Sequence, residues 1–168
     1  MGQSRLPAEV LKSIKLLARR IRLGRESGKL SARGDTVLLS GASGSLSKMA
    51  AEALASELGQ STYQVNMSTV VSKYIGETSK NLERVLSRAA RMDVVLFFDE
   101  ADALFGKRSE IKDAHDRFAK IDTGVLLQAI ESYPGLVLLA SSKKGNIDPA
   151  FLRRIRYIVE FAEPGESR

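Results

Sequence analysis

Apolar positions along the chain change period several times, and each change marks an element. Over residues 8–23 (AEVLKSIKLLARRIRL), Val10, Ile14, Leu17 and Ile21 recur at helical spacing, with Lys12, Lys15, Arg19 and Arg22 as a second, basic stripe. This predicts an amphipathic helix, followed by a linker from Gly24 to Gly34. Strands are expected at Thr36–Ser40, Thr62–Asn66, Val94–Phe98, Leu136–Ala140 and Tyr157–Phe161. Helices are expected between them at Lys48–Leu58, Lys80–Met92, Ala114–Ser132 and Pro149–Arg154. The runs VVLFF and LVLLA are continuously apolar, as strands covered on both faces must be. Strands alternating with helices predict an α/β fold, a three-layer α/β/α sandwich around a five-stranded parallel sheet. Right-handed crossovers then bring the functional loops to the carboxyl ends of the strands.

Composition narrows the chemistry. With 168 residues, 43% of them hydrophobic, the chain is long enough for one domain with a core. It has no cysteine, which removes disulfides, thiolate metal sites and thiol catalysis. Its one histidine, His115, makes a histidine-based metal site or a Ser-His-Asp triad improbable and is expected at the surface among Asp113, Asp116 and Arg117. No apolar run reaches the roughly 18 residues of a membrane span. These features fit a cytoplasmic setting. The net charge of +6 is uneven: residues 1–34 hold nine Lys or Arg against Glu9 and Glu26, which leaves the rest near neutral. The expected organisation is a basic helix and linker at 1–34, a core at 35–163 and a tail at 164–168.

The strongest chemical signal is VVLFFDEADALFGKR, residues 94–108, a buried strand that runs straight into Asp99 and Glu100. Two carboxylates at the carboxyl edge of a sheet can hold Mg²⁺ and orient an attacking water. The run resembles the Walker B segment of AAA-type ATPases, and the resemblance extends over about residues 36–161. It implies a P-loop NTPase-like fold that binds ATP or ADP with Mg²⁺, hydrolyses ATP and remodels proteins. Asp99 matches the Mg²⁺-associated aspartate and Glu100 the water-activating glutamate. Ser72–Thr78 (SKYIGET) is similar to the family's first pore loop, so Lys73, Tyr74, Ile75 and Gly76 are the expected contacts to a substrate polypeptide. Asn146–Arg156 (NIDPAFLRRIR) resembles the arginine-finger segment, with Arg153 and Arg156 at the finger positions. Phe105–Arg108 and Asp113–Arg117 resemble runs of bacterial single-ring members.

The phosphate loop departs from that pattern. A loop of the form G-x-x-x-x-G-K-[ST] aims backbone N–H groups at phosphates, places a lysine on the β- and γ-phosphates and a hydroxyl on Mg²⁺. Here it reads Gly41-Ala42-Ser43-Gly44-Ser45-Leu46-Ser47-Lys48. Leu46 stands for the last glycine, Ser47 for the lysine and Lys48 for the Ser or Thr. In a left-handed conformation Leu46 would add roughly 1–2 kcal/mol of strain. The missing lysine removes a charge-assisted bond worth about 1.5–3 kcal/mol. The helix N-terminus still favours an anion. Lys48 is expected to stand in for the cation and pair with Asp99 or Glu100, because an unpaired carboxylate there is costly. Ser142 occupies the position of the family's sensor asparagine, and the family's helical lid is expected to be absent.

Taken together, the residues favour a degenerate family member with weak or no ATP binding. Such a chain would act as an interaction module in a homo- or hetero-oligomeric ring, presenting Arg153 and Arg156 to a neighbour. Three other readings compete. The chain is an active ATPase with an atypical loop that relies on Asp99 and Glu100, a basic nucleic-acid-binding domain working through residues 5–33, or a folded relic without a role. Residues 5–33 could equally meet an anionic lipid surface or an acidic partner, but the basic helix lacks an aromatic residue for base stacking or interfacial anchoring, which favours its packing on its own domain with the charged face in water.

Overall fold

The computed structural model describes residues 6–26, 35–41, 44–74, 76–106 and 123–161. Five strands alternate with helices: α1 (Ala8–Glu26), β1 (Thr36–Ser40), α2 (Ser45–Glu57), β2 (Ser61–Val65), α3 (Met67–Val70), α4 (Glu77–Ala90), β3 (Val94–Phe98), α5 (Asp102–Phe105), α6 (Thr123–Ser132), β4 (Val137–Ser141), α7 (Pro149–Leu152) and β5 (Tyr157–Glu160). All strand pairs are parallel, in the order β2-β3-β4-β1-β5. Every carboxyl end therefore points the same way, and the loops that follow β1, β3 and β4 meet at one edge.

Side chains alternate across the sheet and build two cores. On one face Val37, Leu39, Val95, Phe97, Leu138 and Ala140 pack under α1 and α2. On the other, Leu38, Leu96, Phe98 and Leu139 pack under α4 and α6. The basic N-terminal helix belongs to the first core: Val10, Ile14, Leu17, Ala18 and Ile21 are buried, while Lys12, Lys15, Arg19 and Arg22 remain exposed. Its Arg22 donates to the Glu57 carbonyl near the end of α2.

Local chemistry fixes the element ends. Asn66 accepts from the Ser68 N–H at the start of α3, and Asp148 accepts from the Ala150 N–H with Pro149 in the first turn of α7. Both α2 and α4 begin three residues earlier than the periodicity predicts, each after a glycine with positive φ (Gly44, 57°; Gly76, 79°). Helix α1 runs three residues further, through Glu26. The expected helix at Ala114–Ser132 is described only from Thr123 onward.

Candidate functional site

Gly41 ends β1 and turns the chain with φ of 87°, a region that favours glycine. A Cβ there would lie 2.7 Å from the Phe161 carbonyl oxygen, so the loop is clasped by the chain leaving β5. Gly44, which has open space around it, then starts α2. Both glycines hold positive φ, and the side chains after them depart from the phosphate-loop pattern. Ser45 is exposed, Leu46 half-buried and Ser47 fully buried. The Ser47 hydroxyl lies 2.9 Å from the Gly44 carbonyl oxygen and 3.4 Å from Asp99 Oδ1, two acceptors for one hydrogen. Ala42 and Ser43 lie outside the described residues.

The expected pairing of Lys48 with Asp99 or Glu100 is not found. Lys48 is exposed and forms no ion pair with either carboxylate among the described residues. The reason is helical phase. The buried face of α2 runs through Ser47, Ala50, Ala51 and Leu54, and Lys48 sits about 100° round the axis from Ser47. Ser47, which sequence reading treated only as a lost lysine, is the residue that meets the carboxylate.

At the end of β3, Asp99 is half-buried and its Oδ1 accepts the Glu100 N–H at 2.9 Å. Glu100 is exposed and has φ of 52°. A glutamate held in the left-handed region stores roughly 1–2 kcal/mol of strain, which the surrounding fold must hold. The Ala101 N–H bonds the Ala140 carbonyl at 2.8 Å and ties this turn to β4. Together these loops enclose an open cavity of about 470 Å³, lined among others by Gly44, Asp99, Glu100, Asp102, Ser141 and Ser142. Four predicted residues thus converge: Gly44, Asp99, Glu100 and Ser142. Asp102 was missed, although it stands three residues after Asp99 at the start of α5, where it accepts weakly from Asn146 Nδ2 at 3.5 Å.

The remaining candidates sit elsewhere. Arg156 lies at the amino edge of the sheet, where its guanidinium is 3.3 Å from the buried carboxylate of Asp35 and stacks near the Tyr157 ring. Arg153 is exposed, with Nε 3.3 Å from the Pro149 carbonyl oxygen. Neither arginine reaches the chain's own cavity. Tyr74 is 63% exposed, with the Lys73 ammonium 5.6 Å from its ring centroid. Its loop is stapled by Thr78, whose hydroxyl accepts the Ser72 N–H at 2.8 Å. Gly76 caps α4. Ile75, Lys107, Arg108 and His115 lie outside the described residues.

The model of the ATPase family associated with various cellular activities (AAA) matches residues 37–163. Among curated proteins, the chain is 30% identical over 129 residues to the uncharacterized AAA family ATPase y4kL of Sinorhizobium fredii, covering 76% of this chain and 39% of that protein. It is 32% identical over 138 residues to the proteasome-activating nucleotidase of Methanococcus vannielii, covering 78% of this chain and 34% of that protein. The chain therefore spans well under half the length of these relatives. Among solved structures, a chain of the E. coli MS115-1 HORMA:CdnC:Trip13 complex superposes with a TM-score of 0.65 at 21% identity, over 94% of this chain and 61% of that one. That likeness establishes the fold. No helix among the described residues is long and apolar enough to cross a membrane.

Proposed function

We infer, on the premise that this chain belongs to the AAA family, that it acts as a ring-partner or interaction module whose own nucleotide site binds MgATP weakly or not at all. The observation that carries this reading is that the side chain nearest Asp99 on α2 is the short hydroxyl of Ser47, 3.4 Å away and shared with the nearer Gly44 carbonyl, where an intact loop would set a lysine and a magnesium-bound hydroxyl side by side. The residues present do not fit a magnesium-bound triphosphate in that way. Leu46 adds bulk where phosphate approaches, and Lys48 stands clear of both carboxylates. The missing lysine alone weakens affinity by roughly one to two decades. Ser142, with one short hydroxyl, does not match the reach of an amide in positioning water.

Retained features support a role toward neighbours. Arg153 is exposed and free of any ion pair among the described residues, which suits a group that completes a site in trans. Arg156 is held by Asp35, so Arg153 is the better supported of the two. Tyr74 is exposed ahead of α4, which suits contact with polypeptide.

Calorimetric titration with ATP, with and without Mg²⁺, tests the reading. The expected result is no metal-dependent heat at micromolar nucleotide. A micromolar, Mg²⁺-dependent signal overturns it and restores an active ATPase, a second reading favoured by Asp99 and Glu100 lining one cavity with Gly44. In that case phosphate release has to disappear in Glu100→Gln.

A further inference from the structure

The sequence places its charge excess in residues 1–34, but the fold creates a second concentration that a net count hides. Helix α4 and the turn after it carry Lys80, Arg84, Arg88 and Arg91, all exposed. The first three follow at i, i+4 and i+8, so they run down one side of the helix about 6 Å apart, and Arg91 continues the line. The opposite side, Thr78, Leu82, Leu86 and Ala89, is buried against the sheet. None of the four cations forms an ion pair among the described residues. Like charges at i, i+4 spacing weaken an isolated helix.

A shallow groove of about 740 Å³ follows the ladder, lined by the four cations with Glu83, Ser87 and Met92. Met92 is 50% exposed at its far end, a flexible thioether suited to apolar contact. We propose that this face docks an acidic amphipathic helix of a partner protein. A helix matches the ladder in pitch, so acidic residues repeating every four positions meet Lys80, Arg84 and Arg88 in register. Apolar residues beside them cover Met92 and the aliphatic stems of the arginines. Glu83 sets the polarity of the choice. It stands inside the groove, where it repels a phosphate backbone but pairs with a single basic residue of a peptide. The groove residues also include no aromatic or amide side chain to stack on or read a base. The proposal is independent of the nucleotide site.

The absence of cysteine allows a placed reporter. The full chain carrying Ser87→Cys, labelled with an environment-sensitive fluorophore, is titrated with an 18-residue synthetic helix bearing Glu at every fourth position, flanking Leu and one Lys. A second protein carries the label at Ser56→Cys on α2. The expected result is a saturable signal at position 87 and none at 56, lost when the peptide's Glu are changed to Gln and weakened at least tenfold by Arg84→Gln/Arg88→Gln. Equal charge removal on α1, Lys15→Gln/Arg19→Gln, changes the affinity less than twofold. Equal losses from both pairs, or no signal at position 87, overturn the proposal. So does single-stranded oligothymidylate that binds position 87 more tightly than the peptide at the same salt, which assigns the face to nucleic acid. The Gln-substituted peptide is tested on the unaltered arginine ladder, so the conclusion survives if the double variant fails to fold.

Discussion

The two edges of the one sheet are built on opposite plans. At the amino edge, side chains close on each other. Asp35 receives Arg156 and passes its carbonyl to the Val137 N–H, and the buried Tyr133 hydroxyl donates to the Val94 carbonyl. At the carboxyl edge the chain opens into the cavity, three residues (Gly41, Gly44 and Glu100) adopt positive φ, and Glu100 and Ser142 face water. Positive φ does not separate the two, since Asp93 just before β3 also has φ of 52°; the amino edge is closed by paired side chains, while the carboxyl edge leaves polar groups exposed beside a cavity, as sites commonly do. Within the carboxyl edge, backbone and side chains stand differently to the phosphate-loop pattern. Gly41 and Gly44 hold positive φ, while Leu46, Ser47 and Lys48 stand where that pattern has a glycine, a lysine and a hydroxyl residue.

The contrast can be broken at its tightest point. Gly41→Ala places a methyl group 2.7 Å from a carbonyl oxygen at a φ that penalises any side chain. Chemical denaturation should show a loss of about 2–4 kcal/mol, from overpacking and left-handed strain together. The opposite manipulation sharpens it. Restoring the loop with Leu46→Gly, Ser47→Lys and Lys48→Thr should raise MgATP affinity by about two decades in calorimetry. A restored loop that still binds nothing would mean that the cavity has closed for other reasons.

At the amino edge the expected effects are smaller and are read as stability. Arg156→Ala leaves the Asp35 carboxylate buried without its partner, yet the guanidinium is half in water, so the loss should be about 1–2 kcal/mol in denaturation. Tyr133→Phe should cost about 0.5–1 kcal/mol. It also carries a pH signature. Burial, and then the negative charge of Asp93, raise the Tyr133 hydroxyl above its ordinary 10.0. Its contribution is therefore complete below pH 10, where the unfolded tyrosine is still protonated, and declines as pH rises toward the folded value. The stability difference between wild type and Tyr133→Phe should narrow or reverse across that window; a constant difference would contradict the raised value.

Strands were the most legible feature. Thr36–Ser40 and Val94–Phe98 stand where the sequence places them, because β-rich, apolar runs between polar turns leave little choice of register. The β2 and β4 spans shift by one residue: Asn66 caps a helix, and Leu136 stands just outside β4 although its carbonyl accepts the Leu96 N–H at 2.9 Å, while Ser141 extends the strand at its other end. Helix starts were less legible, because Gly44 and Gly76 read as loop residues until their positive φ shows them to be caps. That one-turn error mattered at Lys48, whose direction depends on where α2 begins. The convergence of Asp99, Glu100 and Ser142 followed from topology, because parallel strands send their ends to one edge. The capture of Arg156 by Asp35 did not, since 121 residues separate the two and neither lies in a periodic pattern with the other. The α4 ladder emerges only round the helix axis, because Glu77 and Glu83 offset its charge along the segment.

The Phe161 carbonyl that leaves no room for a side chain at Gly41 has a mechanical corollary. The Phe161 N–H bonds the Ser40 carbonyl at 2.8 Å, so the chain leaves β5 while still fastened to the turn after β1. Any pull transmitted through residues beyond 161 arrives first at that fastening. The exit from β5 and the end of β1 thus share a single anchor point.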